Sequence, residues 1–155
     1  MAINIVLYEP EIPANTGNIA RSCAATGARL HLIKPLGFSL EDKMLKRAGL
    51  DYWNEVEVQV YDTINELYEV YPEARFFYAT TKTDQRYSDV SYQDEDFIVF
   101  GRETAGLPLQ LLEANWLKTI KLPMRKTSRS LNLSNAAAVV LYEALRQLDF
   151  RPIKE

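Results

Sequence analysis

Short apolar runs alternate with amphipathic segments along this chain, and three of the runs lead into a polar cluster. Ala2–Tyr8, Leu30–Ile33, Val56–Val60, Arg75–Thr80, Asp96–Phe100 and Thr119–Leu122 have the length and the β-branched or aromatic content of strands. Between and after them, Asn15–Thr26, Leu40–Ala48, a segment from Asp62 to about Tyr71, Pro108–Asn115 and Ser134–Asp149 read as helices. Asn15 or Thr16 caps the first helix and Gly27 stops it; Gly49 stops the second. Asp62 caps the third, with Pro72 beyond it, and Ser134 or Asn132 caps the last. This alternation predicts an α/β fold, a mostly parallel sheet with helices on both faces. Such a sheet gathers its ligands beyond the C-terminal ends of its strands, so polar clusters there come first.

No repeat, low-complexity tract or linker interrupts the pattern, and residues 1–155 read as a single domain. At 47% hydrophobic, the chain has enough apolar mass for one core. No stretch approaches the roughly 18 apolar residues of a membrane helix. The N-terminus has no positive n-region and meets Glu9 and Glu11 at once, so it reads as a first strand and not a signal peptide. Cys23 is the only cysteine, which excludes an intramolecular disulfide and a cysteine-based zinc site. On an apolar helix face it serves as a small hydrophobe. No His, Cys and carboxylate spacing suits a metal, and the single histidine, His31, sits inside a strand as a structural residue. A soluble, cytoplasmic protein is expected.

Three clusters have the residue types for chemistry. Asn15-Thr-Gly-Asn-Ile-Ala-Arg21 lies between the first strand and first helix. Helix-start N–H groups favour anions, and Gly17 would let a phosphate or ribose approach. The alternative is that Asn15 and Thr16 only cap and Arg21 is a surface charge. Phe100-Gly-Arg-Glu-Thr-Ala-Gly-Leu-Pro108 follows a strand. Its two glycines suit a tight turn, and Glu103 would bind a hydroxyl or amine, or cap the helix that follows. It is neither a dinucleotide fingerprint nor a P-loop. Ser128-Arg-Ser-Leu-Asn-Leu-Ser-Asn135 runs into a helix that starts with three alanines, where close approach of a cofactor or another helix is easy.

In this order, the three clusters resemble the signature motifs of the SPOUT RNA methyltransferases. The likeness extends through Leu7–Pro13, Leu36–Phe38 and Gly49–Tyr52, covering about Ile3 to Phe150. It is nearest to the short, single-domain members that methylate the ribose of the tRNA wobble nucleotide. The resemblance implies a deep C-terminal trefoil knot, an exception to the rule that chains are unknotted. It also implies S-adenosylmethionine as cofactor, held by Ala79, Gly101, Ile120, Leu122, Ser130 and Leu131, with Gly101 leaving it room. The family works as a homodimer, Asn15–Arg21 of one subunit completing the other's site. Arg21 is the family's candidate for activating the 2′-hydroxyl, with Asn15, Glu103 and Asn132 positioning the reactants. An arginine is essentially always protonated, so it suits stabilising the oxyanion better than taking the proton. Implied substrates are cytidine or 5-carboxymethylaminomethyluridine at position 34 of leucine tRNAs.

Charge distribution bears on the RNA partner. The net charge of −3 argues against gripping nucleic acid with the whole surface. Yet Lys118, Lys121, Arg125, Lys126 and Arg129 fall in a run without an acidic residue. Removing those five of 18 basic residues leaves 13 against 21 acidic ones. The run is either a solvated loop or a patch for the phosphates of a tRNA anticodon loop, Lys121, Arg125, Lys126 and Arg129 above all. Two other readings compete. One is a knotted RNA-binding protein without methyl transfer, or a 2′-O-methyltransferase for another RNA. The other is a nucleotide hydrolase, which would need a metal cluster or phosphate loop absent from this sequence.

Overall fold

The computed structural model describes residues 1–41, 43, 47, 53–128 and 130–154. Six strands among these form one sheet: β1 (Asn4–Tyr8), β2 (Arg29–Ile33), β3 (Val58–Tyr61), β4 (Phe76–Ala79), β5 (Phe97–Phe100) and β6 (Thr119–Ile120). Every pairing is parallel and the order is β3-β2-β1-β5-β4-β6. The expected mostly parallel sheet is therefore wholly parallel among the described residues. Parallel strands are covered on both faces, which is why these runs are nearly continuous in apolar residues.

The alternation of side chains divides the core between two faces. Ile3, Ile5, Leu7, Leu30, Leu32, Ile98 and Phe100 pack with α1 (Pro13–Thr26) and α4 (Leu133–Gln147). Val6, Tyr78, Phe97 and Val99 pack on the other face, with Leu67 of α2 (Ile64–Val70) and Leu112 of α3 (Leu109–Ala114). Burying a Leu or Val completely contributes about 1.5–3 kcal/mol, so α4 is held chiefly by Val140, Leu141 and Leu145.

Several element boundaries differ from the sequence reading. Pro13, with its preset φ and missing N–H, opens α1, so Asn15 and Thr16 lie inside the first turn instead of capping it. Gly27 does end it, at φ 77° with its N–H on the Cys23 carbonyl. Thr63, not Asp62, caps α2, accepting the Glu66 N–H. Asn132 caps α4, accepting the N–H groups of Ser134 and Asn135. The strand expected to reach Leu122 is shorter, with Lys121 joined to Arg86 only by an isolated bridge. The helix expected over Leu40–Ala48, its stop Gly49 and the Gly49–Tyr52 likeness lie largely or wholly outside the described residues. No helix among the described residues is long and apolar enough to cross a membrane.

The two residues read as structural are so placed. His31 is buried in β2, donating from Nε2 to Asn4 Oδ1 at 2.9 Å and accepting the Tyr61 hydroxyl at Nδ1, also 2.9 Å. Asn4 Nδ2 donates to the Glu95 carbonyl, which turns Oδ1 to the ring and sets this tautomer. Burial lowers the imidazole to about 4. Cys23 is buried, and desolvation pushes its thiol up to about 12.

Candidate active site

Strand order reverses between β1 and β5: β2 and β3 follow on one side, β4 and β6 on the other. Loops leaving these two neighbours diverge, which opens a crevice at their C-terminal ends. A cavity of about 690 Å³ lies there, within the roughly 300–1,000 Å³ typical of small-molecule sites. Its walls come from the loops after β4 (Ala79–Lys82), β5 (Gly101–Leu107) and β6 (Leu122, Met124, Ser130–Leu133), with Ile12, Asn15 and Ala136.

A chain of hydrogen bonds joins the three sequence clusters at this cavity. Asn132 Nδ2 donates to Asn15 Oδ1 at 3.2 Å, and Asn15 Nδ2 donates to Glu103 Oε2 at 3.2 Å. The Glu103 carboxylate also accepts the backbone N–H groups of Glu11 at 2.9 Å and Ile12 at 2.8 Å. Glu103 thus caps the entrance to α1 and not the helix that follows it. The anion expected at the start of α1 is the chain's own carboxylate, and Gly17 is buried inside the helix. Glu11 returns the bond: its carboxylate accepts the Thr104 hydroxyl at 2.8 Å and N–H at 3.0 Å. Those bonds hold it below its usual range. Sequence reading missed Glu11 and Thr104, since nothing in their spacing of 93 residues announces a clasp.

The loop after β5 is closed on itself by a bridge between Arg102 and Gly106, with N–H···O distances of 3.3 and 3.0 Å. A Cβ on Gly101 would fall 2.3 Å from the Gly106 carbonyl carbon and 2.4 Å from the Leu107 nitrogen. The side-chain position at Gly101 is occupied by this backbone, so closure of the loop requires the glycine. Gly106, at φ 67°, makes the reversal.

Of the residues assigned to the cofactor, Ala79, Gly101, Leu122, Ser130 and Leu131 line the cavity. Ile120 does not; its side chain is fully buried in the core, and its carbonyl accepts the Thr80 N–H. Among the polar set, Asn15, Glu103 and Asn132 line the cavity and Arg21 does not, being exposed on α1. The basic run is divided. Lys118 lies 5.2 Å over the Phe77 ring near the N-terminal ends of the strands, where its charge acts on Asp96. Lys121, Arg125 and Lys126 follow β6 on the cavity side, the last two exposed, without lining the cavity. Arg129 lies outside the described residues. Sequence reading missed Lys82, which does line it. No group of three or more His, Cys, Asp or Glu placed for a metal occurs among the described residues.

Comparison with known proteins bears on the family and the fold. Residues 2–142 match the SpoU rRNA Methylase family. The tRNA (cytidine(34)-2'-O)-methyltransferase of Escherichia coli strain K12 is 52% identical over 149 residues, spanning 96% of this chain and 95% of that one. A solved structure concerned with the 2-OH methylation of C/U34 on tRNA superposes with a TM-score of 0.91 at 43% identity, over 97% and 98% of the two chains. The SpoU methyltransferase AviRb from Streptomyces viridochromogenes, in complex with the cofactor AdoMet, shares the fold at a TM-score of 0.86 and 24% identity, over 96% of this chain and 58% of that one.

Proposed function

This chain belongs to the SpoU rRNA Methylase family, and from that premise we infer that it methylates the ribose 2′-hydroxyl of nucleotide 34 in tRNA, using S-adenosylmethionine. The observation that carries the reading is the hydrogen-bonded chain Asn132–Asn15–Glu103, which gathers three distant motifs at the wall of one cavity. The cavity suits the cofactor: Ala79, Phe100, Leu107, Leu122 and Leu131 offer apolar walls for an adenine, and polar groups line the rest.

When bound, S-adenosylmethionine supplies a methyl group on a positively charged sulfur, open to in-line attack by the ribose 2′-oxygen. The residues around it have the remaining work. The 2′-hydroxyl is a poor nucleophile until its proton leaves, and a fixed cation lowers that cost by stabilising the oxyanion. Arg21 is that cation. A guanidinium does not serve as a base, so the proton goes to water or a neighbouring phosphate. Glu103 is a positioning residue, its oxygens already occupied by Glu11, Ile12 and Asn15. Among the described residues Asn15 and Asn132 each donate once, which leaves a second amide hydrogen for a ligand.

Arg21 acts on the cavity of a second copy, in a homodimer whose face includes α1. Its exposure outside its own cavity supports that assignment. A C-terminal knot is the accompanying reading. It is supported by the chain leaving β6 at the sheet edge and returning past the cavity loops to lay α4 against α1. The substrate is the anticodon loop of leucine tRNAs, cytidine or 5-carboxymethylaminomethyluridine at position 34, in the cytoplasm. Lys121, Arg125, Lys126 and Arg129 face its phosphates. The whole chain, residues 1–155, acts as one catalytic domain.

Tritium transfer from labelled S-adenosylmethionine into total tRNA, wild type beside Arg21→Ala, tests this reading. Expected is label in a 2′-O-methylated wobble nucleoside, reduced about 100-fold or more in the variant. Cofactor binding with no label in any tRNA would overturn it in favour of another RNA substrate or a binder without turnover.

A further inference from the structure

The cavity wall holds two cations, Lys82 and Arg102, among the described residues. Arg102 is already engaged: Nη1 lies 3.5 Å from Glu9 Oε1, and Nε donates to the Gly106 carbonyl at 3.4 Å. The one carboxylate on the wall, Glu103, is satisfied by Glu11, Ile12 and Asn15. Lys82 is exposed at the rim, and its ammonium has no hydrogen bond or ion pair among the described residues. A rim cation without a counter-charge, on a cavity whose other charges are matched, points to an anion brought by the ligand.

The backbone that carries Lys82 is held firmly. The Thr80 N–H donates to the Ile120 carbonyl at 2.9 Å, and Thr80 Oγ1 accepts the Lys82 N–H at 3.2 Å. Further along, the Gln85 side chain donates to the carbonyls of Leu117 at 3.2 Å and Thr119 at 2.9 Å. Lys121 then exchanges backbone bonds with Gln85 and Tyr87, both 2.8 Å. This ladder ties the loop that carries Lys82 to the segment after β6 that begins at Lys121.

We propose that Lys82 binds the phosphate on the 3′ side of the ribose being methylated. The inference deepens the function proposed above and rests on it. In RNA the 2′-oxygen and the 3′-phosphate sit on neighbouring ribose carbons. A 2′-oxygen that reaches a methyl donor in this cavity therefore carries its 3′-phosphate to the cavity mouth. Phosphodiesters keep their charge, and a cation on fixed backbone at that spot sets the register of the nucleotide over the cavity. Exposure at the rim, and continuity with Lys121, favour the phosphate over a carboxylate deeper in the cavity.

The test compares wild type, Lys82→Met and Lys82→Arg as full-length proteins. It measures tRNA affinity against salt concentration, S-adenosylhomocysteine affinity by calorimetry, and steady-state methylation of tRNA. Lys82→Met should flatten the log–log salt slope by about 0.7–0.9, the share of one phosphate contact. KM for tRNA should rise more than kcat falls, with S-adenosylhomocysteine affinity unchanged, and Lys82→Arg should restore the slope. Weakened S-adenosylhomocysteine binding at an unchanged salt slope would assign Lys82 to the cofactor's carboxylate and overturn the proposal. Unchanged values throughout, in an active enzyme, would reduce Lys82 to a solvated charge. A wild type that methylates no tRNA would remove the functional reading itself, and this inference with it.

Discussion

The two ends of the sheet handle polar groups in opposite ways. At the N-terminal ends the charges answer one another. Arg29 pairs with Glu57 at 3.0 Å and with Glu95 at 2.5 Å, Arg75 with Asp96 at 3.2 Å, and the terminal ammonium with Glu95 at 3.6 Å. A second cavity of about 450 Å³ lies there, and its Arg75, Glu95 and Asp96 are among these pairs. At the C-terminal ends Arg102 pairs with Glu9 at 3.5 Å and Lys34 with Asp62 at 3.4 Å, but the bonds around the cavity run between loops, Glu103 to α1, Glu11 to Thr104 and Asn132 to Asn15, and they leave Lys82 and two amide hydrogens for a ligand. Self-compensation stabilises a surface; incomplete compensation on a held backbone makes a site.

Substitutions should separate the two ends by what they change. The largest effect is expected at Gly101→Ala, where the new Cβ meets backbone at 2.3 Å and the loop after β5 cannot close. Stability should fall by about 3 kcal/mol in urea unfolding, and S-adenosylhomocysteine binding should weaken with it. A variant with normal cofactor affinity would break the claim that this closure builds the cavity. Glu103→Gln comes next, because an amide cannot accept from both the Glu11 and Ile12 N–H groups as a carboxylate does. A loss of about 2 kcal/mol is expected, together with lower kcat, and a loss of stability without any kinetic change would make Glu103 purely structural.

The middle of the sheet, between the two ends, should respond to pH and leave chemistry alone. The imidazole of His31 titrates at about 4 in the fold against 6.5 unfolded, so folding favours its neutral form. Its contribution is complete above about pH 6.5 and is lost as pH falls towards 4, by about 1.4 kcal/mol per pH unit. Unfolding midpoints at pH 7.5 and 5 should show this slope, and His31→Phe should remove it. The smallest effect is expected at Arg29→Ala, whose ion pairs are partly exposed: under about 1 kcal/mol, with methyl transfer unchanged. A clear loss of activity there would blur the division between the ends.

Much of the fold could be read in advance, because it rests on local periodicity. Runs such as Phe97–Phe100 suit a strand covered on both faces, and Gly27 ends α1 in the left-handed conformation that glycine adopts readily. The site was legible as three clusters and as a basic run, but the links within it were not. Asn15 looked like a cap and became the middle of a chain from Asn132 to Glu103. Gly101 looked like room for a ligand, and the tertiary structure adds a second demand, since Gly106 and Leu107 occupy its side-chain position. Lys82, with no motif around it, reached the cavity wall.

Sequence alone determined the six strands and the helices α1 to α4, the mostly parallel sheet, the end of the sheet where ligands gather and the residue types waiting there. Those depend on hydrophobic spacing and backbone preference, which act over a few neighbouring residues. Tertiary structure decided which polar groups are spent on one another and which remain for a ligand. Glu11 and Thr104 are 93 residues apart, and a hydrogen bond acts only over about 3 Å. Whether such groups meet is set by the packing of the whole sheet and leaves no trace in the residues on either side.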